Sequence, residues 1–241
     1  MTKRYERGFT LVETTLAVAF LAILLMAILT LTMAAGRLYL KGNTNQTINQ
    51  SGRDFADSVR RDFLAAGMST ISPLITVSGG PATSYSGRIC LGNVTYLWNS
   101  ADLLNATTSL AKSVTITMGS TANPPAVKFA RVVNPKVSYC VKDGSGQYPT
   151  NIPSTEQATD LFGGTDRDYA LYSMTMQPIA MSGEKGMYEI TYTLGTNEAG
   201  TTQTDPSGKF LQCKPNNTLL GDFNYCAVDS FDMIVRVGGT V

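Results

Sequence analysis

The sequence predicts an α+β protein: one long N-terminal α-helix, half of it membrane-embedded and half amphipathic, packed on a β-rich globular head. Three observations predict it. Residues Phe9 to Ala35 form an apolar run interrupted by one charge, Glu13. Apolar residues then recur at helical spacing among charged ones as far as Leu64. From Met68 the composition changes to Ser, Thr, Gly, Pro and β-branched residues, the usual content of short strands and turns.

The first segment is a basic head, Met1 to Gly8, carrying Lys3, Arg4 and Arg7. Such a head stays on the cytoplasmic side of a membrane. Leu16 to Ala35 has no charge and no proline. A run of about 20 apolar residues is enough to cross a ~30 Å hydrocarbon core as a helix. A carboxylate at that depth costs at least ~2.5–3.5 kcal/mol, so Glu13 calls for a dedicated partner. Phe9 and Glu13 are four residues apart and share a helix face.

The helix is expected to continue through residues 36–67. Leu38, Tyr39, Ile48, Phe55, Val59, Phe63 and Leu64 mark its apolar face. Arg53, Asp54, Asp57, Arg60, Arg61 and Asp62 are assigned to its outer face, with Asp57 and Arg61 spaced for an i,i+4 pair. Gly67 is positioned as a C-terminal cap. Gly36, Gly42 and Asn43 are the weak points inside the helix. An apolar helix face outside the membrane needs a cover, and the head, residues 68–241, is expected to provide it with a sheet.

Within the head, strands are expected at Arg88–Leu91, Val94–Trp98, Ser113–Met118, Ala126–Val133, Lys136–Lys142, Ala170–Gln177, Met187–Leu194 and Asp232–Val237. Turn signals separate them, among them Gly79-Gly80-Pro81 and Asn123-Pro124-Pro125. A short helix is expected at Glu156–Phe162. About 170 residues follow Gly67, enough for one sizeable core.

Composition narrows the function classes. With 19 basic and 18 acidic residues, net charge +1, no global field favours nucleic acid. Histidine is absent, which removes the commonest general base and the commonest metal ligand. Cys90, Cys140, Cys213 and Cys226 all lie beyond the apolar run and have no C-x-x-C spacing. They read as disulfides of an exported domain rather than zinc ligands. Four cysteines permit three pairings, and the sequence leaves them open.

Lys142-Asp143-Gly144-Ser145-Gly146 and Gly163-Gly164-Thr165-Asp166-Arg167-Asp168 read as turns rather than calcium loops. Ser145 has neither the outer residues of a nucleophile elbow nor a histidine to activate it. Tyr96, Trp98, Tyr139, Tyr148, Tyr169 and Tyr172 read as core or cross-strand partners rather than a stacking platform. No catalytic residue, metal site or cofactor is expected, and no enzyme.

The run Arg7-Gly8-Phe9-Thr10-Leu11-Val12-Glu13 resembles the class III signal of type IV prepilins and pseudopilins. That signal is a basic leader ending in Gly, then Phe-Thr-Leu-x-Glu, then a long apolar helix. The resemblance implies that prepilin peptidase cuts between Gly8 and Phe9, removing leader 1–8, and methylates the Phe9 amine. It implies that 9–35 is a membrane and assembly segment. It also implies that Glu13 pairs with the Phe9 amine of its own chain or of a neighbouring subunit, the latter setting filament stagger. The expected architecture is then pilin-like. Many major pilins carry a proline in the apolar helix, and this chain departs from them there.

A second run, Gly52 to Gly67, is similar to the helix end of PilW-like minor pilins and GspJ-type pseudopilins. The segment from Cys213 to Cys226 resembles in position the C-terminal disulfide loop of type IV pilins. This implies a Cys213–Cys226 bridge, with Cys90–Cys140 as its complement.

The implied function is that of a minor pilin of a type IV pilus, priming assembly or sitting at the tip, with adhesion, motility or DNA uptake as its output. The alternative is a pseudopilin of a type II secretion system. A membrane-anchored enzyme or binding module stands third. The implied partners are major and minor pilins, prepilin peptidase, the inner-membrane assembly platform and, before assembly, the inner membrane. The implied location is the inner membrane with the head outside the cytoplasm, then an extracellular pilus or a periplasmic pseudopilus.

Overall fold

A computed structural model describes residues 10–67, 70–163, 168–179, 186–197, 202–204, 211–214 and 226–238. The chain begins with helix α1 (Leu11–Ala65), then strands β1 (Ile75–Ser78), β2 (Tyr85–Cys90) and β3 (Val94–Asn99). Two short helices follow, α2 (Ala101–Leu104) and α3 (Ser109–Val114). Next come β4 (Thr117–Met118), β5 (Phe129–Val133), β6 (Asn151–Ile152) and β7 (Gln157–Asp160). The chain closes with β8 (Tyr169–Pro178), β9 (Met187–Thr196), β10 (Thr202–Thr204), β11 (Leu211–Cys213) and β12 (Val228–Arg236). The result is an α+β protein, a long apolar N-terminal helix followed by a head of mainly antiparallel sheets.

Two compact units divide the chain, Met1–Asn43 and Thr44–Val241. In the first, the described residues are the leading part of α1, and nearly all are exposed. An 18-residue window of the helix has a mean hydropathy of 2.7, long and apolar enough to cross a membrane.

In the second unit, α1 buries Thr44, Ile48, Gly52, Phe55, Ala56, Val59 and Phe63. These positions recur every three or four residues, so they form one stripe along the helix. The stripe starts later than the sequence reading placed it. Leu38 and Tyr39, both in the first unit, are 73% and 74% exposed. Leu64, one residue and about 100° round the helix from Phe63, is also exposed.

The stripe packs into a core lined by two antiparallel sheets. One has five strands in the order β1-β2-β3-β5-β7, the other three in the order β12-β9-β8. The Phe55 ring lies 4.7 Å from Phe129 on β5 and 4.8 Å from Tyr192 on β9, edge-on to each. One helix residue thus touches both sheets, and each such aromatic pair adds about 0.5–1.5 kcal/mol beyond area burial. Register sorts the faces of the larger sheet. Ile89 opposes Tyr96 and joins the helix-facing core. Arg88 opposes Leu97, which joins a second cluster with Ile116, Val127, Ala130, Val132, Tyr139 and Ile152.

Three expected elements differ. Lys136–Lys142 forms no strand. Asn134 before it takes a left-handed φ of 47°, and the sheet edge beside β5 is occupied by β7. Glu156–Phe162, expected as a helix, contains that strand. Its alternating exposure and the Asp160 carboxylate, which accepts from the N–H groups of Lys128 (2.9 Å) and Phe129 (3.0 Å), hold it to β5. Most of Ser113–Met118 is not strand, because Thr108 caps α3 by accepting from the Ala111 N–H. Only Thr117–Met118 of that segment forms a strand, paired parallel to β6.

The end of α1 also differs in detail. Asp57 pairs with Arg60 at 3.3 Å, both exposed, while Arg61 Nε donates to the Asp57 carbonyl at 3.4 Å. Such a surface pair contributes only about 0.2–1 kcal/mol. Gly67 bridges Gly238 across the chain, and the Gly238 N–H donates to the Phe63 carbonyl at 3.2 Å. A Cβ on Gly238 would fall 2.0 Å from the Leu64 carbonyl oxygen. That atom is backbone and cannot swing aside. Gly238→Ala should therefore lower stability by about 1–3 kcal/mol, read as a lower urea midpoint with an unchanged slope. An unchanged midpoint would show that the contact at the helix end is slack.

Candidate functional site

The first turn of α1 carries the one acidic side chain of the apolar segment. The Glu13 N–H donates to the Thr10 carbonyl at 3.0 Å and to Thr10 Oγ1 at 3.3 Å, so Thr10 caps the turn. Thr14 and Thr15 donate their hydroxyls back to the carbonyls of Leu11 and Val12, each at 2.9 Å. Thr30 and Thr32 do the same with Ala27 and Ile28 further along. Those hydroxyls are absorbed by their own helix. The Glu13 side chain is exposed beside Leu16, Ala17, Phe20 and Ile23. Among the described residues it has no ion-pair partner. An acid at the N-terminal end of a helix also matches the helix dipole. Gly8 and Phe9, the expected cut site, lie outside the described residues, as do Lys3, Arg4 and Arg7.

In the second unit, Asp62 is a correction. The sequence reading put it on the outer face. Its carboxylate instead accepts from Arg131 Nε and Nη2, both at 2.7 Å, and from the Tyr96 hydroxyl. The fork is bidentate, the strongest form of such a contact. It joins α1 to β3 and β5. Burial pushes the Asp62 carboxyl up, but the bonds from Arg131 and Tyr96 and the guanidinium charge outweigh it and hold it below its ordinary value. The Tyr96 hydroxyl is pushed up by burial and then by the Asp62 carboxylate. Arg131 is raised by its bonds to Asp62. A signal for Asp62 was present in the sequence. The stripe Ile48, Gly52, Phe55, Val59 continues by helical spacing to position 62.

Sulfur bridges join Cys90 to Cys140 and Cys213 to Cys226. The first ties β2 to the irregular segment after β5. Most of the loop enclosed by the second lies outside the described residues.

The remaining sequence candidates resolve into local structure. Asp143 Oδ1 accepts from Ser145 N–H (2.9 Å), Ser145 hydroxyl (2.6 Å) and Gln147 N–H (3.0 Å). The Ser145 bond first, then that of Gln147, holds this exposed carboxyl below its ordinary value. Asp168 pairs with Lys128 at 2.6 Å, while Asp166 and Arg167 lie outside the described residues. Among the described residues no three His, Cys, Asp or Glu side chains converge as metal ligands would. Tyr96, Trp98, Tyr139 and Tyr169 are buried, whereas Tyr148 and Tyr172 are half-buried.

Arg88 is a buried residue that sequence reasoning missed. It sits in the Tyr85–Cys90 strand with no exposed surface, and Nη1 donates to the carbonyls of Tyr139 and Pro149, each at 3.1 Å. Comparison with protein-family models, curated proteins and solved structures finds no match to this chain.

Proposed function

We propose that this chain is a minor pilin, an accessory subunit of a type IV pilus, processed at Gly8–Phe9 and assembled through its N-terminal helix. The observation that carries the reading is Glu13, an exposed carboxylate in the first turn of an apolar helix, six residues from the leader's Arg7 in a Gly-Phe-Thr-Leu-x-Glu setting. A soluble protein has no use for a bare apolar helix of this length, and a simple anchor gains nothing from an acid within it. A filament uses both. The apolar surface packs against neighbouring helices, and the carboxylate meets the cationic N-terminus that cutting at Gly8 creates. The head, packed on the stripe of α1 from Thr44 to Phe63, is then the part displayed outside the membrane.

Intact-mass measurement of protein purified from membranes tests the processing step. The expected product begins at a singly N-methylated Phe9. Gly8→Arg should leave the leader attached, because a long charged side chain replaces the one residue that leaves the backbone unobstructed. Full-length protein as the stable form in cells with active prepilin peptidase would overturn the reading.

A further inference from the structure

Among the described residues Arg88 is a charge without a counter-charge. Among the described residues no carboxylate lies within 4.0 Å of its guanidinium. Among the described residues its two hydrogen bonds, both from Nη1, go to neutral carbonyls, and Nε and Nη2 have no partner. Burying a guanidinium in this way is costly unless an anion compensates it. A neutral donor would serve the two carbonyls as well. Burial lowers Arg88 to about 10, so it remains charged at neutral pH.

The residue also lines a cleft of about 450 Å³ between β1, α3 and the loop at 142–150. That volume lies within the ~300–1,000 Å³ range of small-ligand sites. The cleft has a second cation, Lys142, and an apolar wall from Leu110 and Val114. Both cations lie over the Tyr148 ring, the Arg88 guanidinium carbon at 4.7 Å and Lys142 Nζ at 5.5 Å from its centre. Gln147 and Thr76 add polar groups to the wall. The floor is rigidly held. Cys90, two residues after Arg88, is bridged to Cys140, whose neighbour Tyr139 accepts from Arg88.

We propose that this cleft binds an acidic sugar, a monosaccharide-sized ring bearing one carboxylate. The carboxylate pairs with the free edge of Arg88 as the half-buried Tyr148 ring turns aside. Lys142 draws the anion in from the exposed mouth, the amide and hydroxyl groups meet the ring's hydroxyls, and Leu110 and Val114 meet its apolar face. This goes beyond the filament reading and does not depend on it.

The test is calorimetric titration of the full chain in a neutral detergent with D-glucuronate, with D-glucose, and with the neutral-ended glutamate derivative N-acetylglutamate amide. Glucuronate should bind saturably, glucose should not, and the Arg88 Nε–H resonance should shift during the glucuronate titration. Lys142→Glu, on the exposed loop, should weaken binding by roughly tenfold or more, a difference of about 1.4 kcal/mol, without changing the urea midpoint. Arg88→Gln should abolish binding if it folds. The resonance and Lys142→Glu decide the matter if it does not. Absence of saturable glucuronate binding, equal binding of glucose, or an unmoved Arg88 resonance would overturn the proposal. Binding of the glutamate derivative without glucuronate would overturn the sugar assignment.

Discussion

Asp62→Ala should destabilise the head by about 3 kcal/mol, on the scale of breaking a largely buried pair from one side. The Asp62 side chain is 11% exposed and that of Arg131 29%, so neither charge is fully rehydrated when its partner goes. The substitution leaves the Arg131 fork empty and removes the acceptor of the Tyr96 hydroxyl, in a residue only 1% exposed. Urea unfolding of the full chain in neutral detergent gives the measurement. Replacing both charges, as Asp62→Leu with Arg131→Met, should recover most of the loss, since a buried pair replaced by apolar groups of like size is often neutral. A single-variant loss below about 0.5 kcal/mol would place the contact among ordinary surface pairs. Acid adds an independent signature. The Asp62 carboxyl is lower in the folded protein than in the unfolded chain. Its contribution is therefore complete above the unfolded value, near pH ~4, and disappears as the pH falls through the folded one. Below that pH the wild type and Asp62→Ala should converge.

The sequence conveyed the helix and the longer strands because both rest on repeated, local signals. Phe55, Val59 and Phe63 announce a buried stripe, and the β-branched and aromatic runs at 94–98, 170–177 and 187–194 announce strands. Features fixed by partners far along the chain were less visible. Residues 156–162 look helical in isolation but are captured by β5 through Asp160. Residues 136–142 look like a strand but are drawn out of the sheet by Asn134 and the Cys140 bridge. Asp62 illustrates the same limit for a side chain. Its spacing puts it in the stripe, but nothing local says that Arg131, 69 residues away, will meet it. Arg88 was hidden because a lone arginine in a strand is usually a solvated one. For the apolar segment of α1 the reverse holds. Glu13 was legible at once, since one charge in a long apolar run is expensive wherever it sits.

That charge carries the second large effect. Glu13→Val removes a carboxylate from the apolar helix, so membrane insertion should persist or improve. The head begins its packing at Thr44, far along the chain, and its two bridges should form as before. The loss should fall on assembly alone. A charge-assisted contact of about 1.5–3 kcal/mol between Glu13 and a neighbour's Phe9 amine would disappear, enough to reduce occupancy by roughly tenfold or more. The direct measurement is quantitative blotting of sheared filaments against membranes for wild type and Glu13→Val. The expected result is wild-type protein in the filament fraction, and a variant that is processed and present in membranes at near-normal level but depleted at least severalfold from filaments. Wild-type protein missing from filaments, or equal incorporation of the two, would contradict the assembly role.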